Sequence, residues 1–247
     1  YEIQMPLIAK LRDQNKVVVN TLAGTGLWFS DRYRVTPATS VTINNDIGDS
    51  DLKTVWFNSR FFRMNIIWED STLRIRDIHL FDEKFPSFYT TGVATSNQVT
   101  FFTLPFVDGY FWNTAGKKAG MRLKAIMDDK EIPVKGGNPV ITDSVPGVLQ
   151  IKWPVNTFQG TLVAEIRERE IMIRIDGNVR NVKWFLELTT SGNSQLPFRE
   201  IKKNKILCLS DGMNYSVTAL NGYFRKRSDT FIILPEKDKL TLDTGKR

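Results

Sequence analysis

The chain has 247 residues, of which 41% are hydrophobic and 25% are charged, a composition typical of a folded protein rather than of a disordered chain. Its single cysteine, Cys208, and single histidine, His79, exclude an internal disulfide, a histidine-rich zinc site and a Cys/His metal cluster, so we expect no metal. No stretch approaches about 18 uninterrupted apolar residues, so we expect no membrane span.

The net charge of +7 is regional. The clusters of basic residues lie near the C-terminal end, and two interpretations of them are open. Such clusters bind phosphate or anionic polysaccharide through counterion release. Alternatively, they are solvated charges on exposed edge strands, where lysine blocks the addition of a further strand. The clusters comprise Lys202, Lys203, Lys205, Arg225, Lys226 and Arg227.

The first glycine-rich passage, Gly24 to Gly26, indicates a turn rather than a nucleotide-binding loop. A third glycine at the dinucleotide spacing is missing, and the passage is not expected to open a helix. The sequence also has no phosphate-binding loop, so we expect no cofactor and no nucleic-acid partner. Trp28 follows this turn and is a candidate for the aromatic wall of a ligand site.

Alternation of apolar and polar residues with a period of two governs most of the chain, and no amphipathic helix longer than two turns is expected. Turn-forming residues separate the alternating runs. Together they predict an all-β fold, a large antiparallel β-sandwich of about 16 strands with little helix. The clearest runs are residues 62–68, 121–127, 149–153, 162–166, 171–175, 182–188 and 215–219.

Within residues 73–80 the alternation changes phase near Asp77. Either a β-bulge absorbs the change, or Asp77 and His79 lie on the buried face. In the second case Asp77 needs a partner, because an unpaired buried carboxylate is costly, and Arg74 and Arg76 are nearest in sequence. The passage therefore indicates a structural Asp–Arg pair or a catalytic Asp or His.

The segment 108–113 is dense in aromatic rings. Asp108 and Gly109 predict a tight turn, and the three rings after it cannot all face one core, because neighbouring strand residues alternate sides. Sugar rings stack on aromatic faces while polar neighbours bind their hydroxyls. We therefore predict a ligand site here, with packing in the core or at a sheet edge as the alternative. The candidate ligand-binding residues are Asp108, Tyr110, Trp112, Asn113 and Trp28.

Paired carboxylates for glycoside hydrolysis, one acting as acid and the other as base or nucleophile, can be drawn from the same region. The sequence does not give the distances between them. The candidates are Asp77, Asp82, Glu83 and Asp108, and His79 is a further candidate catalytic residue.

Alternating segments on both sides of residues 176–180 predict a hairpin that joins two antiparallel strands. About 16 strands exceed the 7 to 9 of one immunoglobulin-like sandwich. The chain is therefore either a single sandwich domain over residues 1–247 or two packed sandwiches, 1–130 and 140–247, joined by the polar stretch 128–139. We expect the single large domain.

The passages 73–82, 103–109 and 184–188 resemble segments of the large β-sandwich domains of secreted polysaccharide-processing proteins from gut-type bacteria. Those domains are similar to the galactose-mutarotase-like supersandwich and often accompany an α/α-toroid catalytic domain. The resemblance implies a periplasmic or cell-surface location, an oligo- or polysaccharide partner, for which an anionic glycan is one option, and a covalently linked catalytic domain. It implies no catalytic residues, because mutarotase chemistry uses histidines with a glutamate and this chain has one histidine.

We therefore expect an accessory, carbohydrate-contacting domain of a polysaccharide-degradation protein. One alternative is a glycoside hydrolase or polysaccharide lyase that uses carboxylates. The other is a structural domain that packs against a catalytic neighbour.

Overall fold

The computed structural model describes residues 1–45, 48, 50–85, 87–90, 92, 93, 95, 97, 102–177, 182–192 and 194–245. The chain separates into two compact units, Tyr1–Pro37 and Ala38–Arg247. The helices of the first unit are its regular elements, whereas the described regular elements of the second are β-strands and one short 3₁₀ helix.

The first unit contains two α-helices, α1 (Gln4–Asp13) and α2 (Leu22–Arg32). Each makes about three turns at 3.6 residues per turn, and neither was predicted from the sequence. The glycines of the expected turn, Gly24 and Gly26, lie inside α2, because the Thr21 side chain caps this helix by accepting a hydrogen bond from the Gly24 N–H. Neither helix buries a residue. Both therefore lack the pronounced apolar stripe by which an amphipathic helix is identified in a sequence. Among the described residues, no helix combines the length and apolarity needed to cross a membrane.

The second unit contains two antiparallel sheets, of ten and eight strands, which confirms the all-β sandwich prediction. The ten-stranded sheet has the order β1-β2-β3-β4-β6-β12-β17-β16, with β5 on β4 and β7 on β6, and the eight-stranded sheet has the order β13-β14-β15-β18-β11-β10-β9-β8. The strands are β1 (Thr39–Ile43), β2 (Lys53–Asn58), β3 (Phe62–Glu69), β4 (Thr72–Leu80), β5 (Leu104–Asp108), β6 (Gly120–Met127), β7 (Lys130–Pro133), β8 (Val140–Val145), β9 (Val148–Val155), β10 (Gly160–Ile166), β11 (Glu170–Asp176), β12 (Lys183–Thr189), β13 (Phe198–Ile201), β14 (Lys205–Ser210), β15 (Met213–Asn221), β16 (Tyr223–Arg227), β17 (Thr230–Leu234) and β18 (Lys239–Asp243). A short 3₁₀ helix spans Phe88–Thr90.

The predicted hairpin between β11 and β12 is wrong, because these strands belong to different sheets. β11 pairs with β10 and β18, whereas β12 pairs with β6 and β17. Alternation shows that each segment is a strand, but it does not identify the partner. Strand β12 is buried on both faces, with Leu186 (0%) on one face and Phe185 (2%) and Glu187 (8%) on the other, and such a strand needs a central place in a sheet. Residues 178–181, within the expected connection, lie outside the described residues.

One face of each sheet contributes to a shared apolar core, in which Trp153, Trp184 and Phe106 are among the buried side chains. We call the opposite face of the ten-stranded sheet its outer face. Burial of the whole core drives the stacking of the sheets, since each large apolar side chain contributes about 1.5–3 kcal/mol when it is fully buried.

A β-bulge on β4 explains the change of phase seen in the sequence. Asn65 pairs with Asp77 and the next residue, Ile66, pairs with Ile75, so Arg76 is the additional residue. The apolar residues on both sides of the bulge therefore face the core. Asp77 and His79 consequently lie on the outer face.

Candidate binding cleft

A cleft of about 440 Å³ opens over β2, β3 and β4 on the outer face, and we call it the first cleft. The loop after β5 closes one side of it, with Tyr110 at the rim and Asn113 further along. Asp77 and His79 contribute to its floor. Four cationic side chains also line it: Arg63, Arg74, Arg76 and Lys118.

The floor of the first cleft is built around the Asp77 carboxylate, which is 4% exposed. Its Oδ2 accepts a hydrogen bond of 2.8 Å from Arg76 Nε, and its Oδ1 accepts one of 3.0 Å from the Gly109 N–H. The bulge places Arg76 where it can reach its sequence neighbour, although the two would point to opposite faces in a regular strand. Asp77 thus links the bulged strand to the loop that forms the wall of the cleft.

The turn after β5 depends on Asp108. Its Oδ1 accepts hydrogen bonds from the N–H groups of Tyr110 (2.8 Å) and Phe111 (2.7 Å), which fixes the turn predicted from the sequence. Gly109 is required at this turn, because a Cβ there would lie 2.4 Å from Arg76 Cγ and 2.8 Å from the Arg76 carbonyl oxygen. The close approach of the turn to the bulge therefore positions both Arg76 and Tyr110.

His79 is 2% exposed and lies between the two carboxylates. Its Nε2 is 3.5 Å from Asp108 Oδ2 and 4.0 Å from Asp77 Oδ1, while its Nδ1 shares a hydrogen bond of 2.6 Å with Thr103 Oγ1. Burial lowers the pKa of His79, and the nearby Asp108 opposes this effect without reversing it. The neutral imidazole is therefore the favoured form near pH 7.

We expect the stability of the protein to fall as the pH drops through about 6.5, the ordinary pKa of histidine. In the unfolded chain His79 binds a proton at a higher pH than in the folded chain, so the unfolded state holds more protons in this range. Urea unfolding at about one pH unit above and below 6.5 measures the difference. The slope should flatten in His79→Gln, and an equal slope in that variant would contradict the assignment, because the chain has no second histidine.

One donor atom from each of Asp77, His79 and Asp108 lies within 4.8 Å of the others, a donor set of the type that binds divalent cations. The surroundings oppose a cation, however. Arg76 and the Gly109 N–H already use both oxygens of Asp77, and the charge of Arg63 acts on His79. The arrangement fits an anion in the cleft better than a cation at its floor.

Trp56 organises two of the cleft cations. The guanidinium carbon of Arg76 lies 5.1 Å from the centre of the Trp56 ring, and that of Arg63 lies 5.8 Å from it. Such cation–π contacts hold a guanidinium in place while its N–H groups can still donate to a ligand. Burial and the like charge of Arg122 lower the pKa of Arg74 from its usual high value, whereas Glu69, which pairs with Arg74 and Lys118, opposes this effect.

The structure brings five of the residues predicted from the sequence to this cleft. Asp77, His79 and Asp108 meet at or beside its floor. Tyr110 is 60% exposed at the rim, and Asn113 lines the wall, where its Oδ1 accepts a hydrogen bond of 2.6 Å from the Ala119 N–H.

The other predicted residues lie elsewhere. Trp112 is 4% exposed and packs edge-on against Phe198 at 5.9 Å, so its ring belongs to the core and does not offer a face to a sugar. Asp82 lines a separate cleft beside Phe61, together with Glu83. Trp28 belongs to the first unit, where its ring contacts those of Phe29 and Tyr33.

Sequence reasoning missed Trp56, Arg63 and Lys118, and it considered Arg74 and Arg76 only as partners for Asp77. Alternation in the run 62–68 places Arg63 opposite the core, so its orientation could have been found. Its neighbours depend on the order β2-β3-β4, which brings together residues distant in sequence.

The comparisons with known proteins add no relative. The sandwich architecture implied by the resemblance is present, whereas the galactose-mutarotase-like identity stays a prediction. No protein-family model, no curated protein and no solved structure matches the chain.

Proposed function

We propose that the second unit binds an acidic carbohydrate in the first cleft and serves as the carbohydrate-contacting part of a polysaccharide-degradation protein at the periplasm or cell surface. The observation that carries the proposal is the charge of the cleft, which is lined by four cationic side chains and the carboxylate of Asp77, with the carboxylates of Asp108 and Glu69 beside it. The Asp77 carboxylate is already neutralised by Arg76. The remaining positive charge suits a ligand that carries carboxylates or sulfates.

The chemistry of the lining supports a sugar acid in particular. Guanidinium groups bind planar carboxylates through two parallel hydrogen bonds, and two of the guanidinium groups are held in place on Trp56. The exposed ring of Tyr110 offers an apolar face beside them, and sugar rings stack on such faces. An apolar wall with a few fixed polar groups is the usual composition of a small-ligand site.

The proposal is tested with oligosaccharides that contain uronic acids, compared with neutral oligosaccharides of the same length by isothermal titration calorimetry. We expect binding of the acidic series alone, weakening with salt because the contacts are electrostatic. Arg76→Gln and Lys118→Gln should each weaken binding about tenfold, the equivalent of about 1.4 kcal/mol.

Arg167→Gln is the matched control, because Arg167 follows β10 in the eight-stranded sheet and pairs with Glu165. This variant should bind as the unchanged protein does. Equal affinity for neutral and acidic glycans, or equal loss in all three variants, would contradict the cleft as the binding site. Absence of binding and of turnover would favour a structural role beside a catalytic neighbour.

A lyase is the second candidate, favoured by the neutral His79 at the floor of the cleft. A lyase removes the proton beside the uronate carboxylate and then expels the glycosidic oxygen from the adjacent carbon, leaving an unsaturated sugar. His79 would accept the proton and pass it to the departing glycosidic oxygen, and the arginines would stabilise the negative charge that develops on the carboxylate. Ultraviolet absorbance of the unsaturated product tests this candidate, and its loss in His79→Gln would support it. Binding without product would exclude it.

A further inference from the structure

A second cationic cleft lies on the same outer face, over β12, β16 and β17. Its volume is about 690 Å³. Lys183, Arg225 and Lys237 line it against one carboxylate, that of Asp238. Its charge therefore has the same sign as that of the first cleft.

The second cleft also has an aromatic wall. The Arg225 guanidinium carbon lies 5.9 Å from the centre of the Tyr223 ring, and Lys203 Nζ lies 5.6 Å from it. Arg225 Nη2 donates a hydrogen bond of 3.5 Å to the Tyr223 hydroxyl. Arginine held beside an aromatic ring is the same combination that Trp56 and Arg76 provide in the first cleft.

The sheet register connects the two clefts. Directly paired residues share a face, and one row of pairs runs from Arg74 in the first cleft through Arg122, Glu187 and Ile232 to Arg225 in the second. The row crosses from β4 to β16 in four strand spacings, or roughly 19 Å at about 4.8 Å per strand. That distance exceeds one sugar ring and matches a chain of several.

The charge between the clefts does not oppose an anionic chain. The row contains one carboxylate, that of Glu187, and the carboxylate of Glu131 on β7 lies beside it. Lys124 and Arg227 each pair with both carboxylates. Arg122 precedes Glu187 in the row. Three cations thus stand against two carboxylates between the clefts, so the charge there does not repel an anionic chain.

We propose that the two clefts are subsites for one acidic polysaccharide chain that crosses the outer face above this row, over the partly exposed side chains of Lys124 and Arg227. This inference rests on the proposed function and specifies its ligand as a polymer rather than a mono- or disaccharide. A chain that occupies both clefts gains affinity, because binding in the second becomes intramolecular once the first is filled.

The experiment compares a uronic-acid disaccharide with an oligomer of eight or more units by calorimetry. We expect the oligomer to bind at least tenfold more tightly to the unchanged protein. Arg225→Gln should remove most of that gain while leaving the affinity for the disaccharide in the first cleft unchanged. A long chain also gains affinity statistically, because it offers many equivalent segments to the first cleft. That part of the gain would persist in Arg225→Gln.

Lys226→Gln is the matched control on the same strand. Lys226 has the same charge as Arg225, but it pairs with Phe231 and therefore lies on the opposite face of the strand. It lines a different cleft, beside Phe198. It should leave both affinities unchanged. Disaccharide binding without a gain for the oligomer, or equal losses in Arg225→Gln and Lys226→Gln, would overturn the two-subsite proposal and leave the proposed function standing. Failure of both ligands to bind would overturn both.

Discussion

Trp112→Ala is expected to lower the free energy of unfolding by about 3–5 kcal/mol, the usual cost of removing a large aromatic ring from a core. The ring is 4% exposed and packs on Phe198, which contacts Phe106 and Phe231 in turn. Alanine would leave a cavity beside this cluster. The melting temperature should fall by about 10 °C, since 1 kcal/mol corresponds to about 2–4 °C at this chain length.

The adjacent residue provides the control. Phe111 is 53% exposed, so Phe111→Ala should change the free energy of unfolding by no more than about 0.5 kcal/mol. Circular dichroism melts and urea unfolding of both variants make the comparison. Equal and small losses would show that the Trp112 ring is outside the core and would restore it as a candidate for stacking on a sugar.

These two rings also show how far local alternation determines a structure. The sequence indicated that the rings after Gly109 cannot share one environment, and the structure confirms this, with Tyr110 and Phe111 exposed and Trp112 buried. It did not identify which ring is buried. That choice depends on Phe198, which is distant in sequence and reaches Trp112 only after the sheets have stacked.

The sequence did not show to which sheet each strand belongs, for a related reason. Period-two alternation identified most strands of the sandwich, but β11 and β12 carry nearly identical patterns and join different sheets. The helices were missed because α2 contains two glycines and buries no residue, so neither propensity nor an apolar stripe marks it.

The candidate site was partly predictable because a bulge leaves a trace in the sequence. The change of phase at Asp77 located the point where β4 departs from regular pairing, and the cleft floor forms there. The cations were harder to find. Arg63 and Lys118 belong to different segments, and they meet at the cleft through the fold of the sheet and the loop after β5.

Asp77→Ala is expected to have the second large effect, which is measured both in the free energy of unfolding and in the pKa of His79. Loss of the carboxylate leaves the buried Gly109 N–H without an acceptor and breaks the pair with Arg76. Breaking a fully buried pair costs about 3–5 kcal/mol, but the Arg76 side chain is 35% exposed and stays hydrated, so we expect a loss of about 2 kcal/mol. Asp77→Asn keeps an oxygen for Gly109 and should lose less.

The second readout is the pKa of His79, followed by nuclear magnetic resonance of the only histidine in the chain. The charge of Asp77 raises this pKa against the larger lowering caused by burial. Both Asp77→Ala and Asp77→Asn remove that charge, so both should lower the pKa of His79 further, although they differ in stability. Asp229→Ala, at an exposed carboxylate, should change neither quantity. An unchanged His79 pKa in both Asp77 variants would mean that the two side chains do not share the cleft floor, and the anion site built on them would have to be abandoned.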